Sequence, residues 1–315
     1  MFFRSEGFKS MDITTAITII GSFGAASTAQ IVNHILTQKR DEKKYKKEAL
    51  QNLYSPTILE VIKFIEFEGY NCCPNPTIRS EFEDKDVILN NIIDKVEKNL
   101  KYAEAELING YYSLKNYIDQ NGYEDFYNPS NRFVWDLVVE FSNLFFKDYV
   151  LISKLLKSDS NSIYTRLKAP YFFSEFYLLF SECFVRYDFN HDFVFSYYDL
   201  IEFIMLPKND YIKRIVRIRK KLNSAYNNYR DSKVLEESLI DSYQFFYELA
   251  DEFSIASEER ANKFKDFLDE LTQCKNWETF YINLFYTNFT QYISLSQVFI
   301  GSFFNTLNLK ADSNL

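Results

Sequence analysis

The sequence predicts an all-α protein: one apolar helix near the amino terminus, long enough to cross a membrane, followed by a multi-helix bundle on the cytoplasmic side. Three observations predict it. Glycine and proline are scarce, 7 and 6 in 315 residues, whereas a sheet protein needs turn residues about every ten positions. Apolar residues recur three and four apart through most of the chain. Residues 13–32 carry no charge, and the charged cluster that follows is basic. With 47% hydrophobic and 18% aromatic side chains, the chain has apolar surface for a packed core and lacks the composition of a disordered one. Phe, Tyr, Asn, Lys and Ile are abundant together, as in an AT-rich genome, so the 24 tyrosines read mostly as core and helix-contact residues.

The elements follow in order. Residues 1–12 form a short extracytoplasmic tail. The run Ile13–Val32, ITTAITIIGSFGAASTAQIV, spans about 30 Å as a helix, the thickness of a bilayer's hydrocarbon core, and the predicted anchor extends over 13–36. Thr14, Thr15, Thr18, Ser22, Ser27 and Thr28 interrupt it, but each hydroxyl can bond a carbonyl one turn back. Small residues at 25–29 also suit a cleaved signal peptide, and the moderate hydrophobicity suits a helix buried in a soluble fold. The stalk at 37–48 favours an uncleaved single-pass anchor. Its Lys39, Arg40, Lys43, Lys44, Lys46 and Lys47 outnumber Arg4 and Lys9 before the span, which places residues 49–315 in the cytoplasm whether the chain starts at Met1 or Met11. Gly21, Ala25 and Ala29 lie four apart, a flat stripe that predicts helix self-association and a homo-oligomer.

Beyond the stalk, Ser55 reads as an N-cap and Pro56 as the first turn of a helix, with Ile58, Val61, Ile62 and Ile65 on one stripe. A break at 69–77 precedes a long helix from Glu83 to about Asn109, ended at Gly110, and the loop 121–131 precedes a helix carrying Phe133, Val134, Leu137, Val138, Phe141, Leu144 and Phe145. The polar SDSNS at 158–162 marks a possible subdivision near 158–170. Helices are then predicted at about 171–187, 194–205, 209–228, 231–255, 258–274 and 278–307, with Pro170 and Pro207 between them. Residues 279–309 carry no charge, but six scattered Asn and Gln side chains favour packing within the body or resting on the leaflet over a second span.

Function is less legible. No G-x-G occurs, and only two histidines and four cysteines are present without a C-x-x-C, which removes glycine-rich phosphate loops and zinc modules. No cofactor and no metal site are predicted. Cys72, Cys73, Cys183 and Cys274 do not form a spaced disulfide framework, so a reducing compartment is the expectation. Two basic islands sit on an acidic body in a chain whose net charge is −8 overall, a distribution unlike the broad positive face of a nucleic-acid-coating protein. In the second island, Lys213, Arg214, Arg217, Arg219, Lys220 and Lys221 share a helix with Ile212, Ile215, Val216 and Leu222. Lys213, Arg214, Arg217, Lys220 and Lys221 are the candidate anionic-lipid or phosphate ligands, and their alternative is a solvated face paired with acidic groups of the same body.

Arg186-Tyr-Asp-Phe-Asn-His191 has the spacing R-x4-H. It resembles the R-x4-6-H signature of HEPN ribonucleases, all-helical proteins of phage-defence and toxin systems, although Tyr187 stands where that family commonly has a polar residue. The resemblance covers these six residues. It implies a metal-independent RNA-cleaving toxin or abortive-infection effector in which Arg186 stabilises phosphorane charge and His191 assists proton transfer across a dimer. The overlapping Asp188, Asn190, Asp192 and Asp199 fall at EF-hand ligand positions, but Phe193 stands where that loop needs glycine. The leading expectation is a membrane-anchored helical protein of bacterial type that acts on a protein partner or the inner leaflet rather than by catalysis. Its layout of anchor, basic stalk and helical body is similar to that of phage-resistance proteins. The RNA-cleaving effector is the alternative.

Overall fold

The computed structural model describes residue 34 and residues 36–73, 85–126, 132–158, 161–184, 191–205, 210–227 and 232–273. Every element among them is helical. Helix α1 covers residues 36–49 and continues through a π-helical turn, Leu50–Tyr54, into α2, Ser55–Cys72. Then come α3 (Lys85–Asn99), a 3-10 turn (Leu100–Tyr102), α4 (Ala105–Phe126), α5 (Arg132–Leu156), α6 (Asn161–Cys183) and α7 (His191–Phe195). The remainder is α8 (Tyr198–Met205), α9 (Asp210–Asn227), α10 (Ser232–Ser254) and α11 (Glu258–Gln273). None of the described helices is long and apolar enough to cross a membrane. The anchor expected at 13–36, with Gly21, Ala25 and Ala29, lies outside the described residues except for His34 and Leu36, and so does the uncharged stretch 279–309.

Several predicted boundaries move, each for a local reason. Ser55 is not a cap: its φ of −65° and ψ of −39° are helical, and its N–H bonds the Leu50 carbonyl five residues back. Pro56 has no N–H, and its ring crowds the carbonyl one turn earlier, so a widened π turn lets the helix run through it. Pro170 lies inside α6, which begins at Asn161 rather than near 171. The carbonyl that loses its helical donor there belongs to Arg166, an exposed residue. Gly110 is interior to α4, where an added Cβ would lie 3.1 Å from Leu144 Cδ1 of α5; the actual break is the turn around Leu100–Tyr102. The polar stretch after α5 begins as a tight helix stop. Lys157 is left-handed at φ 54°, and the Ser158 N–H reaches back 3.0 Å to the Ser153 carbonyl, the wrapped end usually given to glycine.

Helix α6 is the hub. Every residue from Phe172 to Phe180 is buried, and a helix buried on all sides needs neighbours on all sides; α2, α5, α8, α9 and α10 all pack on it. Phe176 and Phe180 meet Phe246 at ring separations of 5.8 and 5.5 Å, and Phe180 stacks on Phe264 at 6.2 Å. The same helix carries Ser174, Glu175, Ser181 and Glu182, two polar pairs seven residues apart. On α5, Asp136 and Asn143 are also seven apart and run antiparallel to them. Asn143 Nδ2 donates to Ser174 Oγ at 3.0 Å, and Ser181 Oγ donates to Asp136 Oδ1 at 3.0 Å. A slip of α5 by one turn would break both bonds together, so they hold the register.

Two tight spots carry measurable consequences. Gly69 of α2 abuts Tyr198 of α8, where an added Cβ would fall 2.3 Å from the ring Cγ. Helix propensity alone makes alanine better than glycine by about 1 kcal/mol, but overpacking a rigid ring outweighs it. Gly69→Ala is therefore expected to lower the urea midpoint by the equivalent of about 2 kcal/mol. Asp148 of α5 accepts a hydrogen bond from Tyr54 at 3.0 Å, yet burial pushes its carboxyl from 3.8 up to about 6. The folded state then holds this proton more tightly than the unfolded chain, so the group destabilises the fold as pH rises through about 4 to 6. At about 1.4 kcal/mol per pH unit, Asp148→Asn should stabilise the protein by about 2–3 kcal/mol at pH 7.5. That gain should shrink toward zero at pH 4 in urea titrations.

Candidate functional site

The predicted basic helix is α9, and its sides have different fates. Ile215, Ile218, Leu222 and Ala225 are buried, while Lys213, Val216, Arg217, Lys220 and Lys221 are exposed. Arg219 is four residues after Ile215 and three before Leu222, which puts it on the inward side. Its guanidinium reaches Glu175 Oε2 at 2.5 Å and Glu182 Oε1 at 2.7 Å. Burial alone would pull the guanidinium down, but the two carboxylates outweigh it and hold the group above its ordinary value. Burial pushes Glu182 up, opposed by Arg219. Arg219 is thus an internal clamp between α9 and α6 rather than part of a surface island.

Arg214 is committed to α10. Both terminal nitrogens donate to Glu248, one at 2.9 Å, and the guanidinium lies 5.1 Å from the Phe245 ring centre. The Arg214 hydrogen bond holds the Glu248 carboxyl below the usual carboxylate range. Lys221 pairs with Asp241 at 2.8 Å. Arg217 and Lys220 make no ion pair among the described residues. Of the candidate lipid or phosphate ligands, the structure therefore turns Lys213, Arg217 and Lys220 outward, tethers Lys221 at the surface, and ties Arg214 to its neighbour. Between α9 and α10 lies a surface cleft of about 150 Å³ lined by Arg214, Arg217, Ile218, Lys221, Asp241 and Gln244. Asp241 and Gln244 were invisible as site residues because they belong to a different helix; only the antiparallel packing of α9 on α10 brings them to the cleft.

His191, the other candidate, opens α7 at 3% exposure. Its ring stacks on Trp135 at 4.7 Å and 18°, and Nε2 lies 3.0 Å from Asp192 Oδ1. The same oxygen accepts from Cys72 Sγ at 3.4 Å. Arg186 lies outside the described residues. Asp199 is held by both terminal nitrogens of Arg260, at 2.7 and 2.8 Å. Cys72, Cys73 and Cys183 are free thiols. Burial pushes all three up, Cys73 to about 12, the opposite of what a nucleophilic cysteine requires. Among the described residues no group of three or more His, Cys, Asp or Glu side chains is placed to hold a metal ion.

The chain matches no protein-family model, no curated protein sequence and no solved structure.

The two kinds of α9 arginine separate in a stability measurement. Arg219→Gln leaves Glu175, 5% exposed, without its cation and should destabilise the protein by about 3–5 kcal/mol. Arg217→Gln, at the surface and without an ion pair, should change stability by less than about 0.5 kcal/mol.

Proposed function

We propose that the chain is a membrane-anchored protein whose helical body works on the cytoplasmic face by binding, with α9 as the surface that meets anionic lipid of the inner leaflet. The observation that carries this reading is the outward stripe of Lys213, Arg217 and Lys220 on a helix whose opposite side is clamped into the bundle. Residues 213, 217 and 220 follow a spacing of four and three, so all three point one way. Each basic side chain near an anionic surface contributes about 1 kcal/mol, enough for three to orient a body that an anchor already holds close. The stalk supports the same orientation: Lys39, Arg40, Lys43, Lys44 and Lys47 are exposed on α1, whereas Lys46 turns inward to Glu104. The span 13–36 supplies the anchor, and Gly21, Ala25 and Ala29 supply the self-association stripe. His191, packed against Trp135 and Phe195, serves in this reading as a core residue.

Cell fractionation with protease protection tests the proposal. The full chain is expected to pellet with membranes, to resist carbonate extraction, and to be digested only when protease reaches the cytoplasmic face. Recovery as a soluble protein contradicts it. So does RNA loss on overexpression that disappears in Arg186→Ala or His191→Ala, which would assign the chain to the RNA-cleaving class instead.

A further inference from the structure

The cleft between α9 and α10 has two chemically different walls. The α9 wall presents donors only. Arg217 has all five N–H groups uncommitted to any ion pair, Arg214 keeps the three that Glu248 does not use, and Lys221 keeps two of its three. The α10 wall presents acceptors. Asp241 gives Oδ2 to Lys221, leaving Oδ1, and Gln244 donates Nε2 to Glu248 at 3.1 Å, leaving its amide oxygen. Ile218, buried at 5% exposure, forms an apolar floor. The charges nearly cancel. Glu248 balances Arg214, Asp241 balances Lys221, and Arg217 is left as a single net positive charge. A site built only to attract charge would not place a carboxylate opposite its arginine. This one suits a ligand with one negative charge at one end and hydrogen-bond donors at the other.

The geometry points to a glycerophosphodiester as the occupant of this cleft: a singly charged phosphodiester on Arg217, flanked by Arg214 and Lys221, with glycerol hydroxyls donating to Asp241 Oδ1 and Gln244. About 150 Å³ accommodates a phosphate and one glycerol arm. The same chemistry is offered by the headgroup of phosphatidylglycerol and by free glycerophosphodiesters. The lipid source rests on the leaflet reading above; the recognition chemistry does not.

Isothermal titration of the full chain in non-ionic detergent tests it with three probes: glycerophosphoglycerol, diethyl phosphate and inorganic phosphate. Diethyl phosphate has the same charge without hydroxyls, and inorganic phosphate carries more charge. Glycerophosphoglycerol is expected to bind at least about tenfold more tightly than either. Arg217→Gln should weaken it by about tenfold or more. Asp241→Ala should abolish its advantage over diethyl phosphate, although removal of a negative charge would strengthen binding to a purely electrostatic patch. Absence of glycerophosphoglycerol binding, equal affinity for the three probes, or tighter glycerophosphoglycerol binding by Asp241→Ala would overturn the assignment. Both substitutions are at exposed or half-exposed side chains, and an unchanged thermal melt excludes misfolding. In nanodiscs, a fall in probe affinity when phosphatidylglycerol replaces phosphatidylcholine assigns the lipid source, and unchanged affinity assigns the free diester. Either result keeps the recognition chemistry. A chain that fractionates as soluble but binds the probe would overturn the anchor and leave the cleft standing.

Discussion

The constraint on which this structure depends is the burial of α6 on every side. An apolar helix could rotate or slide among apolar neighbours with little penalty, but α6 carries Ser174, Glu175, Ser181 and Glu182 into that environment. Each must find a partner there, because an unpaired buried polar group costs about 1–3 kcal/mol and a charged one more. The seven-residue repeat of those groups is matched by Asp136 and Asn143 on α5 and bridged by the single guanidinium of Arg219 on α9. Phe172, Phe173, Phe176, Tyr177 and Phe180 of α6 are fully buried, and the polar pairs select one register from the many that packing alone would tolerate.

That selection reaches the surface through α9. With Arg219 clamped inward beside Ile215 and Leu222, helical periodicity leaves Lys213, Arg217 and Lys220 no direction but out. Arg214 and Lys221 are then spaced to meet Glu248 and Asp241 on α10, and the cleft between the two helices is lined by what remains. The proposed leaflet contact and the proposed ligand site both follow from one internal ion cluster that itself touches neither.

The sequence made some of this legible and hid the rest. Regular spacing of Ile212, Ile215 and Leu222 announced α9 with its ends one residue from those observed. The same spacing puts Arg219 on the inner face, since it shares a stripe with Ile215 and Leu222; its place among five other basic residues within nine positions masks that signal. Prolines misled because propensity treats them as boundaries. Pro56 and Pro170 sit within helices, where tertiary packing on both flanks outweighs one missing hydrogen bond. Contacts such as Tyr54 with Asp148, Glu66 with Arg166 and the α10 half of the cleft join residues far apart in the chain, and no local pattern encodes them.

The central claim is that an inward lock on α9 turns a cationic face toward the membrane. A scan of single introduced cysteines across residues 213–224, in a full chain whose native cysteines are replaced, tests it through thiol-labelling rates in native membranes and after detergent extraction. The account predicts slow labelling at 215, 218 and 222 in both states, and labelling at 213, 217 and 220 that is slow in the membrane and fast in detergent. Fast labelling at 213, 217 and 220 in the membrane, or at 215, 218 and 222 in either state, would contradict it.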